Sequence, residues 1–333
     1  MNPGTRPRND RTLLDRLRES PGPLSGEALS RDLGISRVAL WKRMETLRAW
    51  GYRISSSRRG YELTRDDGLS PSDLSDRPGP GGGPGAVNGP APGEETLPVR
   101  VLARTGSTMD EARAWGFRGA PSGAAVLALR QSSGRGRGSR VWESPPGGLY
   151  LSLVLRSVLP AAFAGALVLE AARSLLETLE ASGIRGVSFR WPNDLLAGSR
   201  KLGGILAESY GGLDRPEFYV LGVGVNAAPV PLGERPTAGL EDLSSPPPRR
   251  RDLARALAAS LCAWCERPDT DPRRWEGLAP DPRRPTRAEL WDGRILELLP
   301  RGYTARGELA REGPGLPLAF GECRKMIYEG EEP

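Results

Sequence analysis

The sequence predicts an α+β protein of several domains, and three observations carry that prediction. A Gly- and Pro-rich stretch at residues 79–93, "GPGGGPGAVNGPAPG", divides the chain. The segment before it shows helical apolar spacing and then two short strand-like runs. The segment after it mixes β-type apolar runs with helical ones. A chain of 333 residues is long enough for two or three units that each bury a core. The divisions predicted are residues 1–64, a flexible linker over 65–98, a central domain over 99–282 and a small domain over 283–333, the last boundary being marked by "PDPRRPTR".

Composition narrows the chemistry. The net charge of +6 favours an anionic partner. There is no histidine, which removes the commonest general base, the Ser-His-Asp triad and most catalytic zinc sites. Three cysteines without secreted-type spacing point to a reducing compartment. Cys262 and Cys265 of "CAWC" lie in a stretch of helical spacing with no second ligand pair, so they read as structural thiols. No apolar run approaches the ~20 residues that span a bilayer, and the N-terminus lacks a signal-peptide core. The expectation is a soluble cytoplasmic protein without a membrane partner.

In the first unit, Leu13, Leu14 and Leu17 supply one helical face and Ala28, Leu29 and Leu33 a second. Gly34 breaks the pattern. Ser36 can cap a third helix that turns Leu40, Met44 and Leu47 inward and leaves Arg37, Lys42 and Arg43 outside. The runs "YRISS" and "GYELT", joined by Ser57, Arg58 and Arg59, read as a hairpin with a basic tip. Helix, Gly turn, basic helix and hairpin together predict a winged helix-turn-helix. The third helix would enter a major groove, with Arg58 and Arg59 on phosphate or in the minor groove. The bland alternative is a small helical domain with a solvated basic face. The linker, about thirty residues, would span roughly 30 Å as a flexible coil.

From Val99 onward, "VRVLA", "AAVLAL", "LYLSLVL" and "FYVLGVGV" alternate with helical segments such as Phe163 to Ser182, giving a mixed α/β domain. Its polar clusters fall at strand ends and in loops, where a scaffold usually carries binding residues. "SSGRGRGSRVW" follows one strand and precedes another without opening a helix. That argues against a dinucleotide fingerprint or a P-loop. A basic RNA-binding tail remains the alternative to a loop that holds a charged ligand. In "RWPNDLLAGSRKLGGILAE", Asn193 and Asp194 can hydrogen-bond a ligand or hold Mg²⁺. Lys201 beside Gly203 and Gly204 offers a point charge where a backbone can approach a bound molecule.

The ordered series "TGSTMDEA", "QSSGRGRGSRVW", "RWPNDLL", "KLGGIL" and "GVGVN" resembles the biotin protein ligase family, and the winged helix in front resembles its bifunctional biotin-operon repressor members. The resemblance runs from about Val99 to Asn226 and over residues 11–64. It implies a class II synthetase-like catalytic domain followed by an SH3-like barrel, which suits the alternating apolar and polar residues of the C-terminal segment. It also implies an ATP-dependent biotin-[acetyl-CoA-carboxylase] ligase. Such an enzyme forms biotinyl-5′-AMP from biotin and ATP with Mg²⁺, then biotinylates a lysine of a carboxyl carrier domain. Neither half-reaction requires histidine.

By that resemblance Lys201, Arg135 and Arg137 are the catalytic group. Biotin would be bound by Ser107, Thr108, Met109, Gln131, Gly134, Arg135, Gly136, Arg137, Lys201, Gly204 and Gly222. ATP would be bound by Arg137, Trp142, Asn193, Asp194, Lys201 and Asn226, with Asp194 on the metal. Ser36, Arg37, Lys42, Arg43, Arg58 and Arg59 would meet operator DNA, with biotinyl-AMP as corepressor and a ligand-bound homodimer as the binding form. The chain departs from the family pattern at Met109, where Asn is frequent, at Arg190 before "WPND", and at Gly138 and Ser139. Gly321 and Glu322 match the family's end motif loosely, as do Arg324 and Lys325 beside it. A related acyl-adenylate enzyme such as a lipoate ligase, or a non-catalytic sensor that regulates DNA, are the other implied functions.

Overall fold

The computed structural model describes residues 6–49, 52–66, 97–231 and 236–328. The predicted linker therefore lies almost wholly outside the described residues. The first unit holds three helices, α1 (Arg6–Glu19), α2 (Gly26–Asp32) and α3 (Arg37–Ala49), and a hairpin of β1 (Arg53–Ser57) and β2 (Gly60–Arg65). Leu13, Leu14, Leu17, Leu29, Leu40, Met44 and Leu47 close its core, with Tyr52 and Ile54 from the hairpin side. Ala28 and Leu33 are only half-buried, so the second face is narrower than its spacing predicts. Ser25 caps α2 and Ser36 caps α3, each hydroxyl accepting from a backbone N–H two or three residues on. Ser57 belongs to the strand rather than the tip, and the turn is made by Arg58 and Arg59 alone, both exposed.

The central unit is built on a seven-stranded mixed sheet ordered β3-β4-β7-β11-β10-β9-β8. Its strands are β3 (Val99–Leu102), β4 (Ala124–Ala128), β7 (Leu149–Leu155), β8 (Val187–Arg190), β9 (Asp194–Ala197), β10 (Arg200–Gly211) and β11 (Pro216–Val225). Only β3 and β4 run parallel. β4 and β7 are buried along their whole length, as their unbroken apolar runs require when both faces are covered. On one face lie α5 (Ala164–Ala181) and α6 (Arg250–Glu266); on the other lies α4 (Thr108–Phe117), over a smaller cluster of Met109, Trp115, Val126 and Phe218. A two-strand ribbon, β5 (Gly134–Arg135) with β6 (Val141–Trp142), stands between β4 and β7, where the sequence suggests only a loop. Cys262 and Cys265 sit on α6; burial pushes the Cys265 thiol up to about 12, as suits a structural thiol.

One buried charge anchors α5. The Glu170 carboxylate accepts from Arg173, from Arg274 and from the indole of Trp275, the last two carried by a short 3-10 helix at Pro272–Leu278. Burial pushes its pKa up, but the two guanidinium groups outweigh that and hold it below the usual carboxylate range.

The remaining strands are β12 (Thr286–Leu290), β13 (Ile295–Leu298), β14 (Pro300–Tyr303), β15 (Leu309–Arg311) and β16 (Cys323–Tyr328). They form a three-stranded sheet, β13-β12-β16, and a β14-β15 pair. Ala288, Leu290, Tyr303, Leu309 and Met326 join the same apolar cluster as Leu153, Leu175 and Val223 of the central sheet. The Trp191 indole N–H donates to the Gly307 carbonyl at 3.2 Å across that contact. The strand-rich end thus shares its core with the domain before it. Among the described residues no helix is long and apolar enough to cross a membrane.

Candidate active site

A cavity of about 420 Å³ opens on the face of the sheet below the β5-β6 ribbon. Its wall is laid down by the start of α4, the ribbon, the middle of β10 and β11, the β8-β9 turn and one side chain of β16. Ser107 caps α4, its hydroxyl accepting from the Met109 N–H at 3.3 Å. That cap sets Thr108 at the cavity. From there a chain of hydrogen bonds crosses the floor. Ser152 donates to the Thr108 hydroxyl at 2.8 Å, Thr108 donates to Gln131 Oε1 at 3.1 Å, and Gln131 Nε2 donates to Ser144 at 2.8 Å. The backbone N–H of Thr108 also donates to Gln131 Oε1, at 2.7 Å. A neutral network with every member engaged fixes donors and acceptors in one arrangement.

The charged wall is mostly cationic. Arg135, Arg137, Arg140, Lys201 and Lys325 line the cavity against one carboxylate, Asp194. Lys201 Nζ lies 2.6 Å from Asp194 Oδ1, both side chains about 15 % exposed, and 5.4 Å from the centre of the Trp142 ring. Arg135 reaches Glu208 at 2.9 Å and Asp110 at 3.5 Å. Burial works against its charge, but its hydrogen bond to Tyr210 and those two carboxylates keep its pKa above the ordinary value. Its Nε is buried with no partner, as is the Trp142 indole nitrogen. Both are covered by protein, the indole nitrogen lying against Gly224 of the sheet.

Arg137 is placed differently from expectation. It is 7 % exposed, and its Nη2 donates to the carbonyls of Phe320 and Cys323, both at 2.6 Å, with the Phe320 ring 4.7 Å from its Cζ. Burial lowers its pKa. Although it borders the cavity, its hydrogen bonds tie the ribbon to the C-terminal strands.

The glycines serve the cavity through protein packing. A Cβ on Gly224 would stand 2.6 Å from the Trp142 ring, and one on Gly222 would stand 2.8 Å from the Met109 sulfur. Gly204 faces the same indole at 3.3 Å. These residues let Trp142 and Met109 lie flat on the sheet, where a side chain would lift them into the cavity. Met109 itself is 4 % exposed and belongs to the core beneath α4, so at this position the floor is apolar where an amide would be polar.

Of the residues singled out from sequence, Ser107, Thr108, Met109, Gln131, Arg135, Gly136, Arg137, Trp142, Asn193, Asp194, Lys201, Gly204 and Gly222 meet at this cavity. Gly134 does not line it; a Cβ there would meet Trp142 O at 2.4 Å and Ser144 Oγ at 2.8 Å, so it fits the ribbon against its neighbours. Asn226 is 1 % exposed and set behind the wall, its amide N–H donating to Ala238 O at 3.2 Å. Arg140, Tyr150, Gly224 and Lys325 line the cavity and were missed as ligand contacts, as was Ser152 of the network beneath. The ordered arginines around Arg137 were the only signal for Arg140. Nothing local marks Ser152, which looks like one polar residue in a strand.

Among the described residues no three His, Cys, Asp or Glu side chains gather as a metal cage. The lone Asp194 suits a hard cation that arrives with phosphate oxygens to complete its shell. Lacking histidine but rich in fixed cations, the cavity can bind anionic groups side by side and stabilise charge that develops between them.

In the first unit, Arg37 and Lys42 are exposed on α3, Arg43 is half-buried beside them, and Arg58 and Arg59 stand at the hairpin tip. Arg37 pairs with Glu27 at 3.2 Å. The Ser36 hydroxyl is used in capping, accepting from Ala39 N–H at 3.1 Å.

Comparison with known proteins agrees with this division. Residues 101–226 match the Biotin/lipoate A/B protein ligase family, and residues 10–62 match an HTH domain. The bifunctional ligase/repressor BirA of Bacillus subtilis is 37% identical over 207 residues, which is 61% of this chain and 60% of that protein. The protein of the same name from Escherichia coli is 34% identical over 206 residues, covering 61% and 59%. The chain therefore spans about three-fifths of the length of these relatives. A biotin protein ligase mutant of Aquifex aeolicus, solved with biotin, superposes with a TM-score of 0.56 at 21% identity, over 69% of this chain and 98% of that one, which establishes the shared fold.

Proposed function

We propose, from the domain of the Biotin/lipoate A/B protein ligase family at residues 101–226 and the HTH domain at residues 10–62, that this chain is a biotin protein ligase and a biotin-responsive repressor. It joins biotin to ATP with release of pyrophosphate, then passes the biotinyl group to a lysine of the carboxyl carrier domain of acetyl-CoA carboxylase. One observation supports this above the rest: a cavity lined by Lys201, Arg135, Arg140 and Lys325 lies beside the neutral Thr108–Gln131–Ser144 network.

The network offers a neutral ureido ring fixed donors and acceptors, and the apolar floor at Met109 takes the rest of the bicycle. Lys201, now held by Asp194, would exchange that partner for the carboxylate of biotin and the α-phosphate of ATP. The carboxylate oxygen attacks the α-phosphorus, the bond to the bridging oxygen breaks, and pyrophosphate leaves with that electron pair. In the second step the carrier lysine, as free amine, attacks the acyl carbon; AMP leaves and one proton is released to solvent. Trp142, which lines the cavity, offers the adenine a ring face. Asn193 and Asp194 serve the nucleotide, and a Mg²⁺ brought by the phosphates would rest on Asp194.

The repressor half rests on the winged unit. Biotinyl-AMP in the cavity would favour a homodimer that binds operator DNA through α3 and the Arg58–Arg59 tip, all in the cytoplasm. The test is incubation with ATP, Mg²⁺, biotin and a carrier domain, followed by intact-mass measurement. A gain of one biotinyl group on the carrier, absent when lipoate replaces biotin, is the expected result. An unchanged carrier together with no biotin-dependent pyrophosphate exchange overturns the reading.

A further inference from the structure

Helix α3 exposes two large apolar side chains outside its core stripe. Val38 is 64% exposed and Trp41 is 52% exposed, while Leu40, Met44 and Leu47 on the other side are at 1% or less. Val38 and Trp41 are three residues apart, so their side chains neighbour each other on one ridge of the helix. Both stand in its first two turns, just after the Ser36 cap. The ridge is bordered by Arg37 and Lys42, both exposed, and the Arg58–Arg59 tip adds to the cationic side of the same unit. Two large apolar side chains side by side in water forgo burial at about 25 cal/mol per Å² of apolar surface, which a partner covering both would recover.

Cations around an apolar ridge complement a surface that is anionic at its rim and apolar at its centre. The major groove of duplex DNA is such a surface wherever thymine C5-methyl groups project between phosphate walls. We infer that Val38 and Trp41 are the sequence-reading residues of this unit and that they read thymine methyl groups, while Arg37, Lys42, Arg58 and Arg59 set register on phosphate. This rests on the proposed DNA binding. It adds that selectivity comes from apolar contact rather than from hydrogen bonds of the basic residues.

Removing the methyl groups and nothing else is the direct test. The full chain, with biotin, ATP and Mg²⁺, is used to select duplexes from a randomised pool, and a selected duplex is remade with deoxyuridine for thymidine one position at a time. Each contacted methyl is worth about 0.8 kcal/mol, or roughly four-fold in affinity. At one or more positions deoxyuridine weakens the wild-type protein by about that factor. Trp41→Ala and Val38→Ala bind the thymidine duplex more weakly and no longer distinguish the deoxyuridine version. Lys42→Ala weakens both versions equally and reduces the salt dependence. Circular dichroism melts show whether the variants keep their fold, and Trp41→Phe, which retains apolar area, keeps part of the methyl preference.

If no duplex is enriched, the DNA reading falls and this inference with it. If duplexes are enriched but deoxyuridine costs nothing at any position, only the inference falls. It falls equally if Trp41→Ala changes the oligomeric state while leaving methyl sensitivity intact, which would make the ridge a contact between copies of the chain.

Discussion

Lys201 shows how one side chain is held ready. Its ammonium is 2.6 Å from Asp194, and an ammonium so placed can trade a carboxylate for a phosphate or carboxylate of a ligand with little reorganisation. Lys201→Ala is therefore expected to slow biotin-dependent exchange of pyrophosphate into ATP by at least ~10²-fold, the usual scale for losing a charge-stabilising donor. A second residue-scale prediction concerns Gly224, where a Cβ would stand 2.6 Å from the Trp142 ring. Gly224→Ala should tilt that indole into the cavity and raise KM for ATP more than KM for biotin. Equal changes in both would place the indole elsewhere in the reaction.

At the scale of elements, the buried Glu170 is the strongest single tie between α5 and the 3-10 helix at Pro272–Leu278. Glu170→Gln removes the buried carboxylate that the two guanidinium groups share, leaving Arg173 with Glu177 and Arg274 with Asp269, and is expected to cost about 1–3 kcal/mol, read in urea melts. Because its folded pKa is depressed, its contribution is complete above the unfolded value of about 4.3 and is lost as pH falls through the lower folded one. Melting temperatures of wild type and variant should therefore converge as pH falls below the unfolded value and through the lower folded one. This tie was not legible in the sequence, since Glu170 stands 104 residues before Arg274 and 105 before Trp275 and no local pattern links them. What was legible was local: the Leu40, Met44 and Leu47 spacing gave α3 and its core side, and the apolar runs gave β4, β7 and β11. The β5-β6 ribbon escaped because two-residue strands carry no periodicity. The roles of Arg137 and Asn226 escaped because the same motif residues can face a ligand or a neighbouring strand, and only packing decides between them.

Across the whole molecule, the cavity depends on strands far apart in the chain. Arg137 links the ribbon to the Phe320 and Cys323 carbonyls, and Lys325 completes the wall from the same end. Arg137→Ala should free the ribbon, seen as faster tryptic cleavage near Arg135 and Arg140 without ligand, with protection restored by biotin and ATP. Unchanged cleavage would mean that the tie carries no restraint.

The dependence on β16 also has a consequence in time. A ribosome that has released the seven strands of the central sheet has not yet released α6 or β12 to β16, so the growing chain holds the sheet with one side of its core uncovered and the cavity one cation short. The cavity wall is then complete only when the last described strand docks. A chain cut short before that strand would keep the central sheet yet lack Lys325 and the Cys323 carbonyl that holds Arg137, leaving the cavity open on that side.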